Sequence, residues 1–410
     1  MAAAKEKVLL ISPFFPPDFA GTGFVMEELA RDLAASGREL TVLAGKTQQR
    51  SAYTQYRSPL TITRIRHGYV SKDRKLGRLL NYLSFPLAIL CHPKLLQSAD
   101  TIIIVSTVPT TIGLSPILKK VFKKRVIYIW QDIYPDLAVH LQALTPRSFL
   151  VRAMRRLNEI SLQYVDHIIV LGESMKEYAV AHYPCCKEKV SVISNWEDSE
   201  EIFPLPKDNP WSRVSGYYGK FVVLYSGNIG LFQNFDPIIE AAEKLQNDAE
   251  IIFLFVGSGG SKKQLQEKVR QKKLPNVDFM NYVDSHDYCY LLASADCHIV
   301  SLKSGMEQFG FPGKLYSSLA AGRPVIAITE QGTELGTILT RNNVGLVAEN
   351  AQQLVQHITA LKKDDAQRTQ MGARARALLL ERFARKKVTS HYVALLSKYS
   401  NRGDVRATGG

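Results

Sequence analysis

At 410 residues, 46% of them hydrophobic and 22% charged, the chain has the ordinary composition of a soluble globular protein and room for two domains of about 200 residues, which excludes collagen-like and disordered classes. Five cysteines (Cys91, Cys185, Cys186, Cys289, Cys297) without C-x-x-C spacing argue against a zinc site or a disulfide framework. The net charge of +14 is uneven, with 26 Lys+Arg against 15 Asp+Glu in residues 1–195 and 26 against 23 in the remainder; without the aromatic interleaving of nucleic-acid modules, this points to an anionic membrane surface and no nucleic acid.

The start, MAAAKEKVLLIS, has too short an apolar run for a signal peptide, and no apolar stretch reaches the ~18 residues of a membrane span. The expected location is cytoplasmic, peripheral on the inner face of the plasma membrane. Val8 to Ser12 reads as a buried strand, followed by PFFPPDFAGTG, a helix from about Phe24 to Ser36 and a strand from Glu39 to Ala44. Gly21 and Gly23 then stand at a helix N-terminus, where a phosphate or an acceptor approaches closely, or simply form a tight turn. They do not supply the G-x-G-x-x-G of a nicotinamide-binding protein.

Lys72 to Lys94 holds an apolar core, Leu79 to Cys91, between basic flanks. It fits an amphipathic element lying in a membrane interface, or equally a core helix interrupted at Pro86. Lys119 to Arg125 (KKVFKKR) adds to the same charge field or is a solvated helix end. Thr101 to Val105 and Val126 to Trp130 are buried strands. Asp132 follows the second of them, where open α/β sheets place ligands, so it is a candidate catalytic or substrate-hydroxyl contact; a helix N-cap is the other reading. Asp166 to Leu171 and Lys189 to Ser194 complete five or six strands, and DSEEIFPLPKDNP reads as a linker.

The alternation restarts with strands at Phe221–Ser226, Glu250–Val256, Val277–Met280 and Cys297–Leu302, with glycine turns after the first two and helices near Asp236 to Leu245 and Tyr288 to Ala293. Ser304 to Ala327, SGMEQFGFPGKLYSSLAAGRPVIA, is a glycine-rich loop feeding a helix start and then a strand, with a carboxylate (Glu307) and a lysine (Lys314), a combination that suits a phosphate-bearing ligand. Helical residues from about Ala373 to Tyr399 end the fold, and residues 401–410 read as a flexible tail.

In this order the motifs WQDIYPD, VISNWED, LYSGNIGLFQNFD and MEQFGFPGKLYSSLAAGRPVIAI make the chain resemble the retaining glycosyltransferases of family 4 over nearly its whole length, most like bacterial O-antigen and exopolysaccharide assembly transferases of the fucosyl/N-acetylfucosaminyl type. The resemblance implies an α/β GT-B fold, two facing Rossmann-like domains with a cleft between them. Residues 1–196 would form the acceptor-side domain and 197–380 the nucleotide-sugar domain, with 381–400 a helix packing back on the first.

It also implies a donor, a UDP- or GDP-linked sugar, and a lipid-linked or other saccharide acceptor, with no cofactor and no obligatory metal. Glu307, in the E-x-F-G segment Glu307 to Gly310, would take the donor sugar's hydroxyls, since a carboxylate accepts two hydroxyl bonds at once. The family's second glutamate falls on Ser317, ten residues later, and its diphosphate-binding Arg and Lys fall on Asn228 and Gln233. Phosphate charge is then left to Lys314 and to backbone N–H groups at Gly227, Gly230 and the Lys314 helix start.

Asp132, Glu307 and Lys314 are thus the expected catalytic residues. Gly21, Gly23, Gly227, Asn228, Gln233, Gly257, Val283, Met306, Gln308, Phe309, Gly310, Leu315, Tyr316 and Ser317 would surround the donor. The expected reaction is hexosyl transfer with retention to a membrane-associated acceptor in cell-surface polysaccharide synthesis. A nucleotide-sugar 2-epimerase and a non-catalytic nucleotide-sugar-binding assembly protein are the alternatives.

Overall fold

The computed structural model describes residues 5–17, 21–46, 60–66 and 75–407, without the side chains of 75–81 and 401–407. The chain divides into two compact units, one of Met1–Ser194, Gln308–Phe311 and Lys386–Gly410, the other of Asn195–Glu307 and Pro312–Arg385.

The first unit is built on a seven-stranded sheet, β1 (Lys7–Ser12), β2 (Glu39–Gly45), β3 (Thr61–Ile65), β4 (Thr101–Val105), β5 (Arg125–Trp130), β6 (His167–Val170) and β7 (Val190–Val192), in the order β3-β2-β1-β4-β5-β6-β7. Every pairing is parallel; Leu10 faces Val42 on one side and Ile103 on the other. Runs such as TIIIV and RVIYIW are almost continuously apolar because strands of a parallel sheet are covered on both faces. Strand order reverses between β1 and β4, so their carboxyl ends flank the crevice where such sheets hold ligands.

β3 was not expected from the sequence. TITRI is an edge strand whose middle residues are only half-buried, so it lacks the apolar run that marks its neighbours. The helix Lys75–Leu90 is not interrupted at Pro86 but runs through it, with Phe85 and Ile89 buried and Leu83 and Leu87 exposed. The basic flank at 72–74 and the side chains of Lys75 and Arg78 lie outside the described residues. No helix among the described residues is long and apolar enough to cross a membrane.

The second unit repeats the plan with β8 (Phe221–Ser226), β9 (Ile251–Val256), β10 (Val277–Met280), β11 (Cys297–Ser301), β12 (Val325–Ile328) and β13 (Gly345–Ala348), all parallel, in the order β10-β9-β8-β11-β12-β13. Its reversal lies between β8 and β11. Tyr225, Phe235 and Phe255 meet ring to ring within 6.0 Å in the core.

The C-terminal region, expected as helical residues from about Ala373 to Tyr399 with 381–400 the helix that packs back, is two helices with different bounds. The helix Asp365–Leu378 passes into a π-helical turn, Leu379–Phe383, and Ala384 is extended before the helix Arg385–Ala407 begins. Glu197 holds the break by donating its N–H to Phe383 O (3.2 Å) and accepting from Arg385 N (3.0 Å). The last helix continues through 401–407, where a tail was expected. Within the first unit, Tyr399 donates its hydroxyl to Asp166 O (3.0 Å) and its carbonyl accepts from Arg125 (2.7 Å).

Candidate functional site

In the second unit, β8 and β9 each end on a glycine with positive φ, Gly227 (129°) and Gly257 (145°). A Cβ on Gly257 would lie 2.0 Å from Gly227 O, so the two turns touch main chain to main chain and only glycine fits. Lys314 opens the helix Lys314–Ala320 and lays its Cε 3.2 Å from where a Cβ on Gly227 would be. Its Nζ donates to the Tyr225 hydroxyl (2.9 Å), which donates to Asn228 O (2.6 Å). No carboxylate pairs with this ammonium among the described residues, and burial lowers its pKa to about 8. A half-buried cation held by a neutral phenol and with no carboxylate beside it marks a place for an anion.

The expected backbone donors are not available in this arrangement. Gly227 N–H donates to Val256 O (2.9 Å), Gly230 N–H to the Gln233 side-chain oxygen (3.0 Å), and Gly257 N–H to Met280 O (3.1 Å). At the Lys314 helix start, Leu315 and Tyr316 donate to Pro312 and Gly313. These bonds close the two glycine turns and the first helical turn, so Lys314 itself carries the positive charge. Gln233 serves Gly230, while Asn228 is exposed.

Ser317, standing where a glutamate was expected, is buried and donates to Lys314 O (3.2 Å). Beside it is Tyr288, unmarked in the sequence, whose hydroxyl bonds to Ser317 and Ser226 and whose pKa burial raises. Val283 is half-buried in the loop after β10. Met306, Leu315 and Tyr316 are core residues, and the Tyr316 ring lies 5.2 Å from Phe383.

Glu307 Oε2 accepts from Glu334 N–H (2.8 Å), with Leu335 N–H also bonded to it, at the start of the helix Glu334–Arg341. Burial raises its pKa. The carboxylate thus takes two N–H groups of the first turn of a helix whose N-cap is Thr333, with lone pairs remaining for a hydroxyl donor.

In the first unit, Ser106 Oγ at the end of β4 accepts from Gln131 N (2.8 Å) and Asp132 N (3.3 Å), fixing the turn after β5. Gln308–Phe311 belongs to this unit: Ile133 N–H donates to Phe309 O (2.9 Å), and a Cβ on Gly310 would fall 3.0 Å from Asp132 Oδ1. Asp132, Phe309 and Gly310 thus form one corner. Asp132 is not a helix cap, since the helix Asp136–His140 follows Pro135 without a side-chain cap. Burial lifts its carboxyl to a pKa of about 6, the range of a group able to exchange protons near neutral pH.

Phe309 is buried between the rings of His140 (5.2 Å) and Tyr178 (4.9 Å), and Gln308 is exposed. Gly21 and Gly23 lie inside the helix Gly21–Ala35, which starts three residues before the expected Phe24. Gly23 stands 3.4 Å, at its would-be Cβ, from the Phe14 backbone after β1, a close approach that a larger residue would crowd.

Known proteins resemble both units. Residues 19–201 match the family model Glycosyltransferase Family 4, and residues 211–378 match Glycosyl transferases group 1. The probable glycosyltransferase WbjE of Pseudomonas aeruginosa is 27% identical over 237 residues, 56% of this chain and 57% of WbjE, so the chain spans a little over half the length of that relative. The putative colanic acid biosynthesis glycosyl transferase WcaI of Escherichia coli K12 is 27% identical over 351 residues, 81% of this chain and 85% of WcaI. Among solved structures, Anabaena HepE in complex with UDP-glucose has a similar fold, with a TM-score of 0.74 at 15% identity over 96% of this chain and 99% of that one. The two parallel-sheet Rossmann-like domains have the GT-B architecture, and each matches a glycosyltransferase family model, Family 4 in the first and group 1 in the second.

Proposed function

We propose that this protein transfers a hexosyl unit, with retention of configuration, from a nucleotide diphosphate sugar to a membrane-associated saccharide acceptor in cell-surface polysaccharide synthesis. The observation that carries the reading is the Lys314 ammonium, half-buried and without a carboxylate partner among the described residues, beside Gly227 at the carboxyl end of β8. Negative charge grows on the leaving diphosphate as the glycosidic bond breaks, and a pre-positioned cation stabilises it at no reorganisation cost. In this reading Glu307 and Ser317 contact the donor sugar and ribose, and Asp132 orients the acceptor hydroxyl. HepE was crystallised with UDP-glucose, and WcaI is assigned to colanic acid biosynthesis, both in keeping with the donor and product classes.

The test is Lys314→Ala, with UDP- and GDP-sugar binding and turnover measured together on a purified sample. A charge-assisted bond is worth about 1.5–3 kcal/mol, so turnover should fall at least tenfold. Unchanged turnover would remove Lys314 from the donor site.

A further inference from the structure

We propose that a second cavity, in the first unit, binds a single neutral sugar ring of the acceptor; this rests on the transferase reading above. The cavity holds about 260 Å³ and is lined by Asp136, Arg155, Glu159, His182 and Tyr183, none of which the donor site uses. That volume is below the ~300–1,000 Å³ of ordinary ligand pockets, which suits one ring and not a whole nucleotide sugar.

The lining discriminates between a sugar and a phosphate. One guanidinium stands against two carboxylates, so the cavity offers no net positive charge to an anion. Arg155 spends one edge on Asp136, with Nε at 2.8 Å and a terminal nitrogen at 2.6 Å from Oδ1, and Tyr183 donates to Oδ2 (3.3 Å). Asp136 is thereby saturated and orients Arg155, whose side chain is 42% exposed and keeps N–H groups to donate.

His182 supplies an acceptor. Its Nδ1 lies 3.0 Å from Tyr178 O, and a carbonyl only accepts, so the proton of the neutral ring is on Nδ1 and Nε2 holds a lone pair. Glu159 meets Arg156 through Oε2 (3.0 Å), leaving Oε1 as a further acceptor. A donor fork and two acceptors lining one cavity match vicinal hydroxyls, each of which gives and takes a hydrogen bond.

Position gives the cavity its purpose. The His182 ring stacks on Tyr178 at 3.9 Å and 17°, and Tyr178 meets Phe309 edge-on at 4.9 Å. Phe309 O takes the N–H of Ile133, the neighbour of Asp132. These ring contacts tie the His182 wall of the cavity to the Asp132–Gly310 corner, so the cavity is held in fixed relation to it.

The experiment is saturation-transfer NMR of the full chain with methyl glycosides of glucose, galactose, mannose, fucose and N-acetylglucosamine, and separately 31P line broadening of inorganic pyrophosphate, in wild type and in His182→Ala/Glu159→Gln. Both residues are exposed and outside the core, and a melting curve checks folding. Transfer to at least one glycoside, reduced fivefold or more in the double variant while UDP binding is retained, is expected. Transfer to no glycoside, a glycoside signal that survives the double variant, or a 31P broadening of pyrophosphate that the double variant removes would each overturn the proposal. Failure of the transferase reading shows elsewhere, as UDP binding that Lys314→Ala leaves intact.

Discussion

Lys314 and Tyr225 are linked by a 2.9 Å hydrogen bond in which the phenol positions the ammonium without neutralising it. The Tyr225 hydroxyl in turn donates to Asn228 O at 2.6 Å, so the turn after β8 and the lysine share one anchor. A lysine in this setting is charged only below its lowered pKa of about 8. Affinity for UDP should therefore be constant at pH 6–7 and decline as pH rises through about 8, as the ammonium loses its proton. Isothermal calorimetry of wild type and Lys314→Ala across pH 6–9.5 checks this. The variant should bind weakly with no such decline, and Tyr225→Phe should fall between the two.

Gly227→Ala should weaken the same site by two routes. The residue sits at φ 129°, where a side chain costs about 1–3 kcal/mol, and its Cβ would press on Lys314 Cε at 3.2 Å. A melting temperature several degrees lower is expected together with a loss of UDP affinity. Unchanged affinity in a destabilised variant would show that Lys314 had yielded freely and that the contact does not place it.

The parts of the fold that could be read from the chain were the buried strands, because a strand covered on both faces needs a run such as TIIIV and nothing else supplies it. β3 and β13 escaped because both are edge strands without a continuous apolar run: TITRI is half-exposed and GLVA opens on a glycine. At the site, Lys314 and Glu307 were visible as charges among glycines. Tyr225 and Tyr288 were not, since a tyrosine at a strand end or in DYCY has no pattern that separates a hydroxyl aimed at a polar site from ordinary packing. The N–H groups of Gly227 and Gly230 misled the reading, because a glycine turn reveals free backbone geometry and not where its hydrogen bonds are already spent.

Glu307→Ala and Glu307→Gln should separate two roles. The carboxylate takes the first N–H groups of the helix Glu334–Arg341, and losing such a charge-assisted bond costs about 1.5–3 kcal/mol. The alanine variant should lose both that stability and donor-sugar turnover. In the glutamine variant the amide oxygen can still take the Glu334 N–H, so stability should be largely kept while turnover falls. Equal turnover in glutamine variant and wild type would leave Glu307 with the structural role alone.

Asp132 and Gly310 give a prediction with a defined sign in pH. Burial holds the Asp132 carboxyl at about 6, above the ~3.9 of an unfolded chain, so the folded protein binds a proton that the unfolded chain has released. The stability this group contributes is complete below about pH 4 and is lost as pH rises through 6. Asp132→Asn should accordingly be more stable than wild type at pH 7–8, on the order of 2 kcal/mol, with the difference vanishing near pH 4. If the ionised carboxylate takes the acceptor hydroxyl's proton or hydrogen bond, turnover should have an acidic limb near pH 6 that the asparagine variant lacks. Gly310→Ala places a methyl 3.0 Å from Oδ1 and must displace the carboxylate, so it should lower turnover, shift that limb and leave UDP affinity intact. A pH–rate profile of the three proteins decides: a limb that persists unchanged in Asp132→Asn belongs to another group, and Asp132 then has no part in the chemistry.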